Sequence, residues 1–382
     1  MTKPVAIFCA TTPMSIPLFG NRFHLLMEAG IDLHIVVGEA VTESIPELPT
    51  EATLHVVPMT RSINPLGDIT ALAKMVKLQR RLRPKLVAAA TPKASLIGLL
   101  AARLNRVPVR VWEVWGAKWD RDASRKGSLL RRIDRIVAHS ATEIIAVSPS
   151  LAELLVLKDI TACTPQVLGA GSSKGVDTDR FHPDPSRHPC TPPTIGFVGR
   201  ISKDKGIEDV YNVADALRRQ VPDLQLILVG DVDKSNPPSQ EVVDSIHTSD
   251  WIEMTGWVPD TSPHYRGMDV LVFPSRREGL PNAILEAAAS GVPVVAYSAT
   301  GSVDALLQNG SGYYVDVGNS KQMMDHILRI LMSPQEHSYL STKARDFVMS
   351  RFKNSQVEDR WTNLYCSSIG QEPASGDSGP AA

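Results

Sequence analysis

Five prolines fall within the twelve residues 182–193, a density that no helix or strand accommodates. The same pattern stands on both sides of that break. Before it, short apolar runs at 4–10, 33–37, 53–57, 85–90, 107–112, 143–147 and 166–169 read as strands with helical segments between them. After it, the pattern restarts at 194–200 and continues through 224–230, 251–256, 270–273, a run opening at Pro293, and 312–316. Strands alternating with helices require right-handed crossovers and parallel sheets. The chain of 382 residues therefore reads as α/β, with two doubly wound domains in tandem. Such a pair is expected to face a central cleft and to take its ligands at the carboxyl ends of the strands. Three helices are expected to close the chain, at 319–332, 335–349 and about 354–367. The tail 371–382 has no large apolar group to bury and is expected to be disordered.

Apolar content of 43% and charged content of 21% are those of a soluble globular protein. No apolar run reaches the length of a membrane span, and the N-terminal run reads as a first strand rather than a signal sequence. Cys9, Cys163, Cys190 and Cys366 are scattered, with no disulfide framework and no zinc spacing. A cytoplasmic protein is expected. The net charge of −1 hides an asymmetry: residues 1–190 carry 24 Lys and Arg against 17 Asp and Glu, and the remainder carries 16 against 24. The positive charge gathers at 74–85 and 103–135. Two readings stay open for those runs, a solvated helix face or a peripheral contact with anionic lipid at the inner membrane face. Nucleic acid is not expected, because aromatic residues are only 5% and no recognition motif is present.

The most informative stretch is Val270–Val295. An apolar run stops at Pro274, a polar loop carries Glu278, and Pro281 opens a helix that carries Glu286 and ends at Gly291. A helix start presents free N–H groups and the positive end of its dipole, which suits an anion. The second stretch is 199–206, reading GRISKDKG after an apolar run. Gly199 admits a close backbone approach, while Arg200 and Lys205 bring a fork and a point charge to one strand end, the pair a diphosphate needs. No GxGxxG follows a strand and no GxxxxGK[ST] occurs, so nicotinamide cofactors and P-loop ATP binding are disfavoured. The aspartates of 231–233 look like a two-aspartate metal motif, but their loop is expected to leave them solvated. No GxSxG, HExxH or Cys/His nucleophile pair occurs, and His24 and His264 read as structural.

The run PSRREGLPNAILEAAASGVPVVA resembles the signature of retaining nucleotide-sugar glycosyltransferases of family 4, with Glu278 and Glu286 eight positions apart. The Gly199, Arg200, Lys205, Gly206 set and TGWVPD at 255–260 match the same family in kind and order. VPMTRSINPLGD at 57–68, ATPKAS at 90–95 and GAGSSKGVDTDRF at 169–181 look like its subgroup for capsular, exopolysaccharide and lipid-linked glycans. The resemblance implies a GT-B fold, with an acceptor-binding domain at 1–185, a nucleotide-sugar-binding domain at 194–350, and a helix at 351–370 returning to the first domain. It implies a metal-independent retaining hexosyltransferase using a nucleotide-diphospho-sugar, expected to be UDP-linked, on a lipid-linked or polysaccharide precursor. Arg200 and Lys205 would hold the diphosphate and Glu278 would lie by the transferred sugar. Glu286 would bind the ribose, and the backbone of Gly279, Leu280 and Pro281 would touch sugar and phosphate. Gly256 and Val258 would sit beside the base. Gly20, Arg61 and Lys93 fall in the matching loops of the N-terminal half. Two departures stand out: the first loop has one glycine where many relatives have a pair, and 112–120 lacks their histidine. Gly116 and Lys118 are the candidates there. A sugar-nucleotide 2-epimerase of the same fold and a donor-binding protein without transfer activity are the alternatives.

Overall fold

The computed structural model describes residues 3–41, 45, 47–60, 64–184 and 192–373. The chain divides into two compact units, one running to Gly175 and taking back the segment from Asn354, the other Val176–Lys353. The division falls a few residues ahead of the proline-rich run.

Unit 1 holds β1 (Val5–Cys9), β2 (Asp32–Val37), β3 (Thr53–Val56), β4 (Leu86–Ala89), β5 (Val109–Val114) and β6 (Glu143–Ala146). They form one parallel sheet in the order β3-β2-β1-β4-β5-β6. Its helices are α1 (Arg22–Glu28), α2 (Pro65–Leu82), α3 (Pro92–Leu104), α4 (Arg125–Ser140) and α5 (Pro149–Leu157), with a 3-10 turn at Pro13–Phe19. Pro65, Pro92 and Pro149 each open a helix, where a missing N–H costs nothing. The stretch 166–169, expected as a strand, makes one bridge from Gln166 to Ile145 and goes no further. Leu168–Gly171 turns tightly, with the Gly171 N–H on the Leu168 carbonyl, and leaves the ladder. The strand expected at 107–112 begins two residues later, because Arg106 takes a left-handed conformation and Pro108 has no N–H to give.

Side chains alternate across the sheet. Ala6, Phe8 and Ala10 join a core with Phe19, Phe23, Trp361 and Tyr365, while Cys9 and Ala89 meet Gly98 of α3. Trp361 and Tyr365 come from the last helix, α13 (Asn354–Ser368). Their anchor is a fully buried ion pair. Arg22 Nη2 lies 2.8 Å from Glu113 Oε2, and Tyr365 Oη donates to Glu113 Oε1 at 2.6 Å. The Arg22 guanidinium sits 4.4 Å from the Trp361 ring and 4.7 Å from that of Phe19. Its Nε and Nη1 have no hydrogen-bond acceptor, so these ring faces are their compensation. Trp361 Nε1 donates to the Ser172 carbonyl at 3.0 Å, and the Glu358 carboxylate accepts the Asn21 N–H at 2.8 Å.

Unit 2 repeats the plan with β7 (Thr194–Val198), β8 (Gln225–Val229), β9 (Ile252–Gly256), β10 (Val270–Phe273), β11 (Val294–Tyr297) and β12 (Gly312–Val315). The parallel order is β12-β11-β10-β7-β8-β9. The helices are α6 (Ile207–Arg218), α7 (Gln240–Thr248), α8 (Ser262–Arg266), α9 (Asn282–Ala289), α10 (Ser302–Ala305), α11 (Ser320–Met332) and α12 (Pro334–Arg351). Helices α8 and α10, of five and four residues, are too short to display a 3.6-residue period, and the sequence reading did not give them or α7.

Two predictions follow from unit 1. Glu113→Ala leaves Arg22 as an uncompensated buried cation and should cost about 3–5 kcal/mol, read from urea unfolding by tryptophan fluorescence. The second concerns Asp134 on α4, which accepts from Trp119 Nε1 at 2.6 Å. Burial pushes its carboxyl from 3.8 up to about 6, although the Trp119 bond opposes the shift. The folded state thus holds this proton where the unfolded state has lost it, so its contribution to stability falls as pH rises from about 4 to about 6. Asp134→Asn keeps an acceptor for Trp119 and should raise the melting temperature above wild type at neutral pH, with the gain shrinking toward pH 4.

Candidate active site in unit 2

In unit 2 the chain lays down β7, β8 and β9 in one direction and β10, β11 and β12 in the other. The order reverses between β7 and β10, which are paired through Val270–Ile195 and Leu271–Gly196. The loops leaving their carboxyl ends must diverge there, and that opening is where doubly wound sheets take ligands. The two stretches singled out from sequence, 199–206 and 274–281, are these two loops.

After β7, Gly199 and Arg200 run into a 3-10 turn at Lys203–Lys205. Gly206 closes it at φ +75°, with a hypothetical Cβ 2.3 Å from the Pro274 carbonyl oxygen, so only glycine lets the two loops touch. Gly301 does the same from the next loop: its φ is +76° and its Cβ would sit 2.2 Å from the Gly279 carbonyl oxygen. The Glu278 N–H bonds the Thr300 carbonyl at 3.1 Å. Backbone contacts thus hold 278–279 from both sides.

Lys205 and Glu278 meet. Lys205 Nζ lies 2.5 Å from Glu278 Oε1, with the two side chains only 19% and 12% exposed. The buried Ser275 donates its hydroxyl to the same oxygen at 2.5 Å, and Lys205 Nζ is 5.8 Å from the Phe273 ring centroid. Arg200 is more open, at 59% exposure, and pairs with Asp233; its other nitrogen is 3.9 Å from Asp204. Asp204 ties the loop together, accepting from Ser202 Oγ at 2.7 Å, Asn236 Nδ2 at 2.8 Å and Arg277 Nη2 at 3.3 Å. Burial raises its pKa, but the Ser202 hydroxyl, Arg200, Arg277 and Asn236 together outweigh that and hold the carboxyl below the usual range. Asp233 is likewise held down, first by the Ser235 hydroxyl and N–H.

In the 231–233 loop Asp231 is exposed, as expected of a solvated aspartate, whereas Asp233 is partly covered. Asp233 holds Arg200, and Asp231 Oδ1 accepts the Trp257 N–H at 3.0 Å. That bond ties the loop after β8 to the loop after β9. Gly256 lies here, its carbonyl accepting the Gly230 N–H at 2.9 Å, and Gly230 in turn packs on the Gly199 carbonyl. The half-buried Val258 follows. Leu280 and the buried Pro281 lead into α9, whose first turn has free N–H groups. Glu286 stands further along α9, where it accepts from Tyr265 Oη at 3.1 Å. Tyr265 is fully buried, and burial together with Glu286 pushes its phenol well above the ordinary value, keeping it a donor. Sequence reading missed Ser275, Asp204, Tyr265 and the pairing of Asp233 with Arg200. Only Ser275, Asp204 and Asp233 had a sequence signal, as polar residues within a few positions of a strand end; Tyr265 comes from α8 and is brought in by the fold.

The described residues flagged in the N-terminal half stand in unit 1 and form no comparable cluster among themselves. Gly20 ends the 3-10 turn against the Glu358 carboxylate. Lys93, in the first turn of α3, pairs with Asp68 at 2.5 Å; the hydroxyls of Thr11 and Thr91, the latter at the N-cap position of α3, meet at 2.7 Å. Gly116 and Lys118 line a water-sized cavity of about 20 Å³ with Trp112, Trp119 and Asp134. Arg61 lies outside the described residues. Among the described residues no group of three or more His, Cys, Asp or Glu could hold a metal ion.

Residues 192–333 match the family described as glycosyl transferases group 1, and residues 23–167 match the glycosyl transferase 4-like domain. The chain is 29% identical over 371 residues to the capsular polysaccharide biosynthesis glycosyltransferase CapM of Staphylococcus aureus, covering 93% of this chain and 95% of that protein. It is 21% identical over 359 residues to the Escherichia coli UDP-Gal:alpha-D-GlcNAc-diphosphoundecaprenol alpha-1,3-galactosyltransferase, covering 90% and 91%. Among solved structures, Anabaena HepE in complex with UDP superposes with a TM-score of 0.74 at 18% identity, covering 96% of this chain and all of that one. Sucrose-phosphate synthase of Thermosynechococcus elongatus gives 0.78 at 18% identity, covering 96% and 99%. With the two six-stranded parallel sheets, these matches make the chain a glycosyltransferase of the GT-B fold.

Gly301→Ala forces the Gly279 carbonyl to move and places alanine at positive φ. It should destabilise unit 2 by about 1–3 kcal/mol, measured by denaturant unfolding against the wild type.

Proposed function

We propose that the chain is a metal-independent retaining glycosyltransferase. It moves a sugar from a nucleotide-diphospho-sugar, UDP-linked, to a lipid-linked or polysaccharide precursor at a membrane surface. One observation carries the reading: Lys205 and Glu278 are paired where the strand order of unit 2 reverses, and Arg200, paired with Asp233, comes from the same loop as Lys205. The names of the S. aureus and E. coli relatives support the acceptor class, and the E. coli relative and the UDP-bound neighbour support the nucleotide.

Arg200 and Lys205 receive the diphosphate, with Asp233 and Glu278 serving as their counterions until it arrives. The first turn of α9 adds N–H groups to the phosphate. Glu286, oriented by Tyr265, takes the ribose hydroxyls, and the Gly256–Val258 turn flanks the base. Glu278, released from Lys205, turns to the hydroxyls of the transferred sugar. As the sugar–phosphate bond lengthens, charge grows on the leaving diphosphate and the two cations stabilise it in place of a metal. The acceptor hydroxyl enters on the same face, and its proton passes to the departing phosphate oxygen. Configuration at the anomeric carbon is retained.

Incubation with radiolabelled UDP-sugars and a membrane extract tests this. Label entering the lipid-extractable fraction is the expected result; isomerised donor alone indicates a 2-epimerase, and binding without either indicates an inert donor-binding protein. Lys205→Ala should lower kcat/KM by ~10²–10³-fold while the far-UV spectrum is unchanged. Near-normal turnover overturns the diphosphate assignment.

A further inference from the structure

Helices α2, α3 and α4 of unit 1 lie side by side. Asn105, at the end of α3, accepts from Arg80 Nε at 3.1 Å and donates to the Val76 carbonyl at 3.1 Å, while Arg103 of α3 donates to the His139 carbonyl of α4 at 2.6 Å. Together the three helices carry eleven Lys and Arg against two Asp. Both acids are engaged within the fold, Asp68 with Lys93 and Asp134 with Trp119. The exposed positions include Lys74, Lys77, Arg80 and Arg81 on α2 and Arg125, Lys126, Arg132 and Arg135 on α4. A solvated face with no further role has no reason to exclude carboxylates so completely; mixed charge is the usual composition of one.

Large apolar side chains protrude among these cations. Leu66 and Ile69 stand 81% and 65% exposed on the first turns of α2, and Leu104 is 58% exposed at the end of α3. Between α3 and α4 runs an apolar groove of about 350 Å³, floored by Leu100, Leu104 and Ile136 and rimmed by Arg103, Arg135 and His139. Nucleic acid phosphates would answer the charge but leave Leu66, Ile69 and Leu104 in water. An anionic bilayer answers both, with headgroups meeting the cations and the acyl boundary meeting the apolar tips.

We propose that the α2–α3–α4 face of unit 1 docks on a lipid bilayer bearing anionic headgroups. Leu66, Ile69 and Leu104 enter the interface, and the groove between α3 and α4 takes an acyl segment. The surface deepens the lipid-linked acceptor reading above, but it requires no nucleotide in unit 2 and is tested without one.

The experiment is co-sedimentation of the full chain with phosphatidylcholine vesicles with and without phosphatidylglycerol. Wild type should pellet only with the anionic vesicles, and less as salt rises. A variant carrying Lys77→Gln, Arg81→Gln, Lys126→Gln and Arg132→Gln should lose ~100-fold or more in partitioning, since each charge near the surface contributes a several-fold factor. Leu66→Ser with Leu104→Ser should weaken what binding survives at high salt, and both variants should keep the wild-type far-UV spectrum. Failure of wild type to pellet, equal pelleting of the charge variant, or a duplex oligonucleotide outcompeting the vesicles overturns the proposal. Vesicle binding without sugar transfer sinks the functional reading alone; transfer to a water-soluble acceptor without vesicle binding sinks this one alone.

Discussion

Unit 2 depends on a single constraint, the parallel pairing of β10 with β7 at the place where the strand order reverses. Each strand carries a loop at its carboxyl end, and the loops have no common crossover to close them off. The candidate site of unit 2 hangs from that opening. Lys205 comes from one loop and Glu278 from the other, 73 positions apart in the chain and 2.5 Å apart in space. Glycine makes the approach available. At Gly206 and Gly301 even a methyl group would collide with backbone, so the loops are packed main chain to main chain and leave their side chains free for charge.

Paired charges in this position have a cost as well as a use. Lys205 and Glu278 are each mostly removed from water, and an isolated ion in such a place is expensive. The pair and the Ser275 hydroxyl stabilise one another while no anion is present. Arg200, at 59% exposure, is held more loosely by Asp233 and is the cheaper cation to redirect. One loop therefore presents two cations held with different strength, an open one suited to first contact and a sheltered one suited to a charge that develops later.

Much of this was legible in the sequence, for reasons that can be named. Both parallel sheets announced themselves through apolar runs of four to seven residues between helical segments, because strands covered on both faces need no polar alternation. The 199–206 and 274–291 stretches were readable because glycine, proline and charge sit at fixed offsets from a strand end. What failed to show was non-local or short. Gln166–Gly169 has strand-like residues but a turn pulls it from the ladder. The pairing of Asp233 was hidden because its partner Arg200 lies 33 positions away. Tyr265 belongs to a five-residue helix with no period to detect. The roles of Gly20, Lys93, Gly116 and Lys118 were the least legible, since unit 1 offers separate contacts there rather than one cluster.

The placement of α13 bears on how the protein is made. Phe8, Phe19 and Phe23 belong to β1, the 3-10 turn and α1, yet Trp361 and Tyr365, which cover them, stand more than 330 positions later in the chain. Unit 2 lies wholly between them. At ordinary translation speeds the first sheet waits roughly 10–40 s with its aromatic core uncovered and the buried Arg22 missing Tyr365 and Trp361 from its surroundings. Unit 2 is contiguous and can close as it emerges. All six strands of unit 2 are thus synthesised before the helix that completes the aromatic core of unit 1.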